Sequence, residues 1–275
     1  MTSVTLPYAH IDAFADRPFT GNQAAVMPLE TWLPDAVLQA IGEENNFAET
    51  AFIVPDKTGE ADYELRWFTP TSEVDLCGHA TLASGHYVLS QDSKRDSVSF
   101  RTRKAGILKV SRGTKGYDMA LPATFVQAYD HPELSAALGT GGAPLFKAVR
   151  GVEKTTIILL DDADAVRKVS VDMAALTDIP VMAIITAPGD AQSGTDVISR
   201  VFVPAWGVPE DSVTGSAHCA LATFWSERLG RNSFSAYQAS QRGGVVQCRH
   251  DGDEAVLSGE CFTVVEGRFA LPGLG

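Results

Sequence analysis

No run of about 18 or more apolar residues occurs in this 275-residue chain, which leaves no candidate membrane-spanning helix. The opening stretch MTSVTLPYAHIDAF has no basic segment followed by an apolar one, so no secretory signal is expected. Positive charge is scarce. Lys and Arg number 22 against 34 Asp and Glu, a net charge of −12. That balance disfavours nucleic acid and anionic membranes as partners. An anionic substrate would then need a local positive potential, since the global field opposes it. Cysteine is scarce too. Cys77, Cys219, Cys248 and Cys261 form no C-x-x-C, and no His is spaced with them for zinc. Reduced thiols in a cytoplasmic protein are the expectation. Cys219, Cys248 and Cys261 fall in apolar patterns and read as core. No His or carboxylate cluster has ligand spacing, so no metal is expected. A Walker loop and a strand-coupled G-x-G-x-x-G are both missing, which leaves no nucleotide cofactor. The run Gly139-Thr140-Gly141-Gly142 reads instead as an interdomain turn.

What the chain does have is a sentence written twice. Residues 66–88 read RWFTPTSEVDLCGHATLASGHYV, and residues 200–224 read RVFVPAWGVPEDSVTGSAHCALATF. Each has Arg, then Phe and Pro, an acidic stretch, a Gly, and an apolar helix pattern. A second echo pairs residues 106–110 with 244–248. The offset from Gly78 to Gly215 is 137 residues, and from Gly106 to Gly244 it is 138. Two matches at nearly one offset predict a duplicated unit of about half the chain. The length allows one large or two medium domains, and 45% hydrophobic with 20% charged residues is the composition of a globular protein.

Short strands are predicted over 4–14, 50–55, 63–68, 98–103, 106–112 and 117–121 in the first half. In the second half they are expected over 155–160, 181–187, 198–203, 245–248, 255–258 and 261–265. Leu33–Asn45 carries apolar residues at helical spacing, with a start at Pro34-Asp35 and Pro in the first turn. Residues 163–169 and 171–176 also read as helical. The helices expected at His79–Ser90 and Ser216–Leu229 are apolar on most faces, so each should be buried all round inside a curved sheet. Gly230 is the expected C-cap of the second. The fold class is therefore α+β: two pseudo-symmetric halves, each a β-barrel-like sheet around a central helix. The boundaries are residues 1–126 and 127–263, with a last strand over 264–275 joining the first half.

Each central helix opens on small residues, Cys77-Gly78-His79-Ala80 and Thr214-Gly215-Ser216-Ala217. A helix N-terminus exposes unpaired N–H groups and partial positive charge. Small residues let a ligand approach that backbone. A small carboxylate could be held by such ends, or the Gly and Ala could serve only close packing. His79 lies in a first turn, where the helix end should hold its imidazole neutral. It reads as a ligand donor or as a satisfied structural His. Asp211 reads as a substrate contact or as an ordinary capping acid.

These residues resemble the PhzF-like family of phenazine-biosynthesis proteins. The matching segments are Asp12-Ala13-Phe14, Gly21-Asn22-Gln23-Ala24-Ala25-Val26, Asn46-Phe47-Ala48-Glu49-Thr50-Ala51-Phe52, Arg66-Trp67-Phe68-Thr69-Pro70, Cys77-Gly78-His79-Ala80-Thr81-Leu82-Ala83, and Glu210 through Ala217. They span most of the chain in the family's order. The resemblance implies the diaminopimelate epimerase fold, with the active site in the cleft between its halves, and a homodimer. It implies that Glu49 is the acid/base residue, that His79 and Asp211 contact substrate, and that Gly78, Gly215 and Ser216 donate to it. Asn22 is expected near the site, although Gln23 stands where the family often has Pro. Next to Phe47 and Phe52, Glu49 should be desolvated and its pKa raised. Without the resemblance it would read as a loop acid.

The expectation is a cofactor-independent isomerase of a small carboxylate-bearing metabolite, acting by proton transfer. Two alternatives stay open. Two-thiol racemases of the same fold use a Cys from each half, and here Thr214 stands opposite Cys77. A hydroxyl is too weak a base for that role, but Cys77 could act alone as a low-pKa thiol in an epimerase or dehydratase of an amino or imino acid. It also reads as a small buried residue. The other alternative is a non-catalytic carboxylate-binding protein.

Overall fold

The computed structural model describes residues 4–271 in two compact units. The first comprises the residues up to Met119 together with those from Gly259 onward, and the second is Ala120–Ser258. These divisions fall a few residues before the expected 126/127 and 263/264. The closing strands expected over 255–258 and 261–265 are one continuous strand, Glu254–Leu271. That strand leaves the second unit and enters the first at Gly259, where a Cβ would lie 2.5 Å from Phe14 Cδ1. The last four residues of the strand expected over 264–275 lie outside the described residues.

The first unit contains β1 (Val4–Ala15), β2 (Asn22–Pro28), α1 (Asp35–Asn45), β3 (Glu49–Pro55), β4 (Tyr63–Phe68), β5 (Glu73–Val74), α2 (Gly78–Ser90), β6 (Ser97–Thr102), β7 (Ile107–Arg112) and β8 (Tyr117–Pro122). The chain's last strand pairs antiparallel with β1, and β1 with β2. β2–β3 is parallel, β3–β4 antiparallel, β4–β6 parallel, and β6–β7 and β7–β8 antiparallel. β8 pairs with the last strand, closing eight strands into a barrel. In β6, β7 and β8 burial alternates residue by residue, so one face of each strand points inward.

α2 fills the barrel. Residues 78–85, Val88 and Leu89 are all buried, on every side of the helix. Gly85 lets α2 approach β7: a Cβ there would lie 2.4 Å from Val110 Cγ1. α1 lies outside, and its Leu38 and Ile41 cover Met27, Phe52 and Phe68. Pro34 is its N-cap rather than a first-turn residue. Asn46 ends it with a left-handed φ of 49°.

The second unit contains β9 (Phe125–Tyr129), α3 (Pro132–Ala137), β10 (Leu145–Arg150), β11 (Thr155–Leu159), α4 (Ala163–Lys168), α5 (Met173–Thr177), β12 (Met182–Pro188), β13 (Val197–Val203), β14 (Val208–Asp211), α6 (Gly215–Leu229), β15 (Ser233–Gln238), β16 (Gly244–Asp251) and the first residues of β17 (Glu254–Leu271). Its pairings repeat the order of the first unit. They run antiparallel twice, then parallel (β11–β12), antiparallel, parallel (β13–β15), and antiparallel twice more. The duplication read from two motifs is thus a duplication of the whole strand order. α6 is the counterpart of α2. Residues 217–226 are buried, and Gly230 ends the helix at φ 65°. Asp162 and Asp172 cap α4 and α5 through their side chains. The Gly139–Gly142 run joins α3 to β10 inside this unit, so it is not an interdomain turn.

The doubled Arg has one job in both units. Arg66 on β4 forks onto Glu73 on β5, at 2.7 and 2.8 Å. Arg200 on β13 forks onto Glu210 on β14, at 2.8 and 2.9 Å. Each guanidinium also lies over the Phe two residues on, Phe68 at 5.0 Å and Phe202 at 4.9 Å. The forks tie each barrel strand to the short strand that leads into the central helix.

Candidate active site

Three chain segments bring side chains together in the first unit. Asn46 turns the chain out of α1, and Asn45 Nδ2 donates to Thr50 Oγ1 at 3.0 Å, so that Glu49 becomes the first residue of β3. Gly21, at φ 73°, packs where a Cβ would meet Ala13 O at 2.3 Å, and Asn22 then opens β2. Cys77 is the N-cap of α2 and His79 lies in its first turn.

Glu49 Oε2 and His79 Nε2 are 3.0 Å apart. The contact is an ion pair by distance, but it is not aligned as a hydrogen bond, and the buried Oε2 has no hydrogen-bond partner. Asn22 Nδ2 lies 3.2 Å from His79 Nδ1, and Cys77 Sγ lies 3.5 Å from the same nitrogen. The Glu49 side chain is 17% exposed and that of His79 6%, so Glu49 is the more accessible of the two, although its Oε2 is buried.

Electrostatics here differ from the sequence expectation at three residues. Burial pushes Glu49 up, but the imidazolium of His79 outweighs it and holds the carboxyl below its ordinary value. Burial also works against a charged His79, yet the negative charge of its neighbours, at neutral pH that of the Glu49 carboxylate, prevails and raises His79 above its ordinary value. The neutral imidazole expected from the helix end is therefore overturned by a neighbour the sequence places 30 residues away. Cys77 is pushed up to about 11, first by burial and then by Glu49. Burial and a facing carboxylate both oppose the thiolate, in the opposite direction to the low-pKa thiol weighed from the helix end. At neutral pH the thiol is protonated, and the charge facing His79 is that of Glu49.

In the second unit Asp211 ends β14 and Thr214 is the N-cap of α6. Thr214 Oγ1 donates to Asp211 Oδ2 at 2.5 Å. Gln238, fully buried, was not among the expected residues. Its Oε1 accepts from Thr214 N at 2.9 Å, and its Nε2 donates to Asp211 O at 2.7 Å. It stands at the end of β15, beside Ser199 on β13, and only the strand pairing reveals its neighbours. His218 Nδ1 donates to Thr214 O at 2.8 Å, as Thr81 Oγ1 donates to Cys77 O at 2.6 Å in α2. Ser216 Oγ faces Met182 Sδ at 3.7 Å. Neither Cys77 nor Thr214 bonds back through its side chain into the first turn of its helix. Gly78 and Gly215 are the first residues of those helices.

Of the expected residues, Glu49, Cys77, His79 and Asn22 thus meet in the first unit, with Gly78 beside them in the chain. Asp211 meets Thr214 in the second, next to Gly215 and Ser216. Sequence spacing showed no metal-ligand cluster, but donor atoms of Glu49, Cys77 and His79 lie within 4.8 Å of one another. Among the described residues no helix is long and apolar enough to cross a membrane.

A family model described as phenazine biosynthesis-like protein (PhzC-PhzF) matches residues 11–267. An uncharacterized isomerase of Pseudomonas aeruginosa is 40% identical over 268 residues, covering 97% of this chain and 99% of that one. A crystal structure of a PhzF-family protein from Enterococcus faecalis matches with a TM-score of 0.87 at 38% identity, over 97% of this chain and 99% of that one. A hydroxyproline epimerase from Agrobacterium vitis shares the fold at 15% identity, with a TM-score of 0.61, over 98% of this chain and 94% of that one.

Proposed function

Since the chain belongs to the phenazine biosynthesis-like (PhzC-PhzF) family, we propose that it is a cofactor-independent isomerase of a small carboxylate-bearing metabolite, acting by proton transfer. The name isomerase carried by two Pseudomonas aeruginosa relatives supports the reaction class. The observation that carries the mechanism is the Glu49–His79 contact at 3.0 Å, with the carboxylate the more exposed partner. Glu49 takes a proton from a substrate carbon, and the pair of electrons left behind shifts along the substrate. The protonated Glu49 exchanges its proton with solvent and then delivers one to a different carbon, so nothing is oxidised or lost. His79 stabilises the negative charge that grows on the substrate during the transfer. Within the first unit Gly78 donates to the substrate and Asn22 holds a polar group of it; the resemblance to the family gives Asp211, Gly215 and Ser216 substrate-contacting roles as well.

The test begins with a screen of small carboxylic acids for thermal stabilisation. Solvent deuterium incorporation into a binding acid is then followed for wild type, Glu49→Gln and Cys77→Ala. Wild type and Cys77→Ala should exchange, and Glu49→Gln should lose at least about a hundredfold. Exchange in Glu49→Gln with none in Cys77→Ala would replace the carboxylate with the thiol. Binding with no exchange in wild type would make the protein a carboxylate binder.

A further inference from the structure

Glu49, Cys77 and His79 also form a donor set of a kind that the proton-transfer reading does not require. They offer one oxygen, one sulfur and one nitrogen, from two segments of the chain, and these atoms lie within 4.8 Å of one another. Zinc binds thiolate sulfur at about 2.3 Å and imidazole nitrogen or carboxylate oxygen at about 2.0–2.1 Å, in a tetrahedron. Those lengths require about 3.3 Å between the oxygen and nitrogen donors and about 3.6 Å between sulfur and nitrogen. Here His79 Nε2 lies 3.0 Å from Glu49 Oε2 and 4.0 Å from Cys77 Sγ. The oxygen and sulfur donors lie within 4.8 Å of each other, so all three edges fall within about 1.2 Å of the tetrahedral lengths.

The surroundings suit the ion as well. Cys77 and His79 are buried, which limits competing water, while the partly exposed Glu49 leaves an entry path. Asn22 stands beside Nδ1, the ring nitrogen that the ion would leave over. With its amide turned, the Asn22 oxygen accepts from Nδ1–H and fixes the imidazole with Nε2 toward the ion. A partner of that kind orients metal-bound histidines. On binding, the Cys77 thiol and the His79 Nε2–H each release a proton to solvent, and the resulting thiolate, imidazole and carboxylate select a thiophilic divalent ion over magnesium or calcium.

We propose that Glu49, Cys77 and His79 form a three-donor site for a thiophilic divalent cation of the zinc type, with the fourth position open to water. The proposal rests on the geometry of the first unit and stands whether or not Glu49 moves protons. If it does, the ion is also an inhibitor, because it occupies the carboxylate that the reaction needs.

The test is calorimetric titration of metal-stripped protein with zinc alone. One ion per chain should bind, and Cys77→Ser and Glu49→Gln should each weaken binding at least about tenfold. Affinities within about twofold of wild type in both folded variants would overturn the proposal. X-ray absorption at the zinc edge of the wild-type complex needs no variant. One sulfur in the first coordination shell is expected, and a shell of only nitrogen and oxygen refutes the site. Loss of deuterium exchange on zinc addition tests the inhibition separately.

Discussion

Replacing Arg66 with Met should cost the first unit about 3 kcal/mol, because it breaks a buried fork while leaving the apolar stem in place. Arg66 is only 3% exposed and gives two charge-assisted bonds to Glu73, with a third to Asp35 at 2.9 Å. Removing one partner of a buried pair costs about 3–5 kcal/mol. Glu73 is 26% exposed and can rehydrate, which places the cost at the lower end. The stacking on Trp32 and Phe68 adds about 0.5–1 kcal/mol per ring, part of which Met recovers. Asp35 is exposed and contributes nothing to this sum. At about 2–4 °C per kcal/mol for a chain of this size, the melting temperature should fall by about 6–12 °C. Differential scanning calorimetry at two ionic strengths is the assay. A pair so little exposed should show nearly the same loss in low and high salt. Arg66→Lys keeps the charge without the fork and should fall between. The double variant with Glu73→Gln should lose less than the two single losses combined, by at least about 1 kcal/mol. A loss under about 1 kcal/mol for Arg66→Met, or strict additivity with Glu73→Gln, would refute the clamp.

Gly85→Val should destabilise by about 1–3 kcal/mol through overlap with the Val110 side chain, and Val110→Ala in the same chain should recover only part of it in chemical denaturation, since the Cβ that Ala keeps would itself lie 2.6 Å away. Gln238→Leu should cost about 1–3 kcal/mol, since Thr214 N–H and Asp211 O lose their partner in a buried place; unchanged stability would mean that neither bond matters. His218, with its pKa pushed down to about 4 by burial, stays neutral when folded and takes a proton when unfolded. The unfolded chain therefore binds more protons between pH 6.5 and about 4, so stability is intact above pH 6.5 and falls as the pH drops through that window, by about 3 kcal/mol from this residue. His218→Gln should flatten that slope in pH-dependent unfolding.

The parts of this fold visible in sequence were those with local causes. The two apolar helices, the glycine before each and the repeated Arg-x-Phe-x-Pro are contiguous patterns, and their matched offset carried the duplication. β2, β9, β10, β14 and β15 were not visible, being short or rich in small, polar and charged residues. The family resemblance pointed to Glu49 and His79 as site residues, but their charges were misread. The sequence showed a helix end beside His79 and two Phe beside Glu49, and both cues predict neutral groups. What reverses both is the meeting of residues 49 and 79 across β3 and α2, a tertiary fact. Gln238 had no signal at all, because its partners depend on the parallel pairing of β13 with β15.

The pairing of the last strand with β1 sets an order for making the protein. Val4 faces Leu271 and Ala15 faces Glu260, so the first strand to leave a ribosome has as its neighbour the last one. The second unit, by contrast, is contiguous and complete by Ser258. Its folding therefore does not wait on the segment that closes the seam along β1. A released fragment ending at Ser258 should thus protect residues 120–258 from protease and leave β1 open to cleavage. The whole first barrel waits on residues 259–271, so loss of that segment would harm the N-terminal half of the chain more than the half it is joined to.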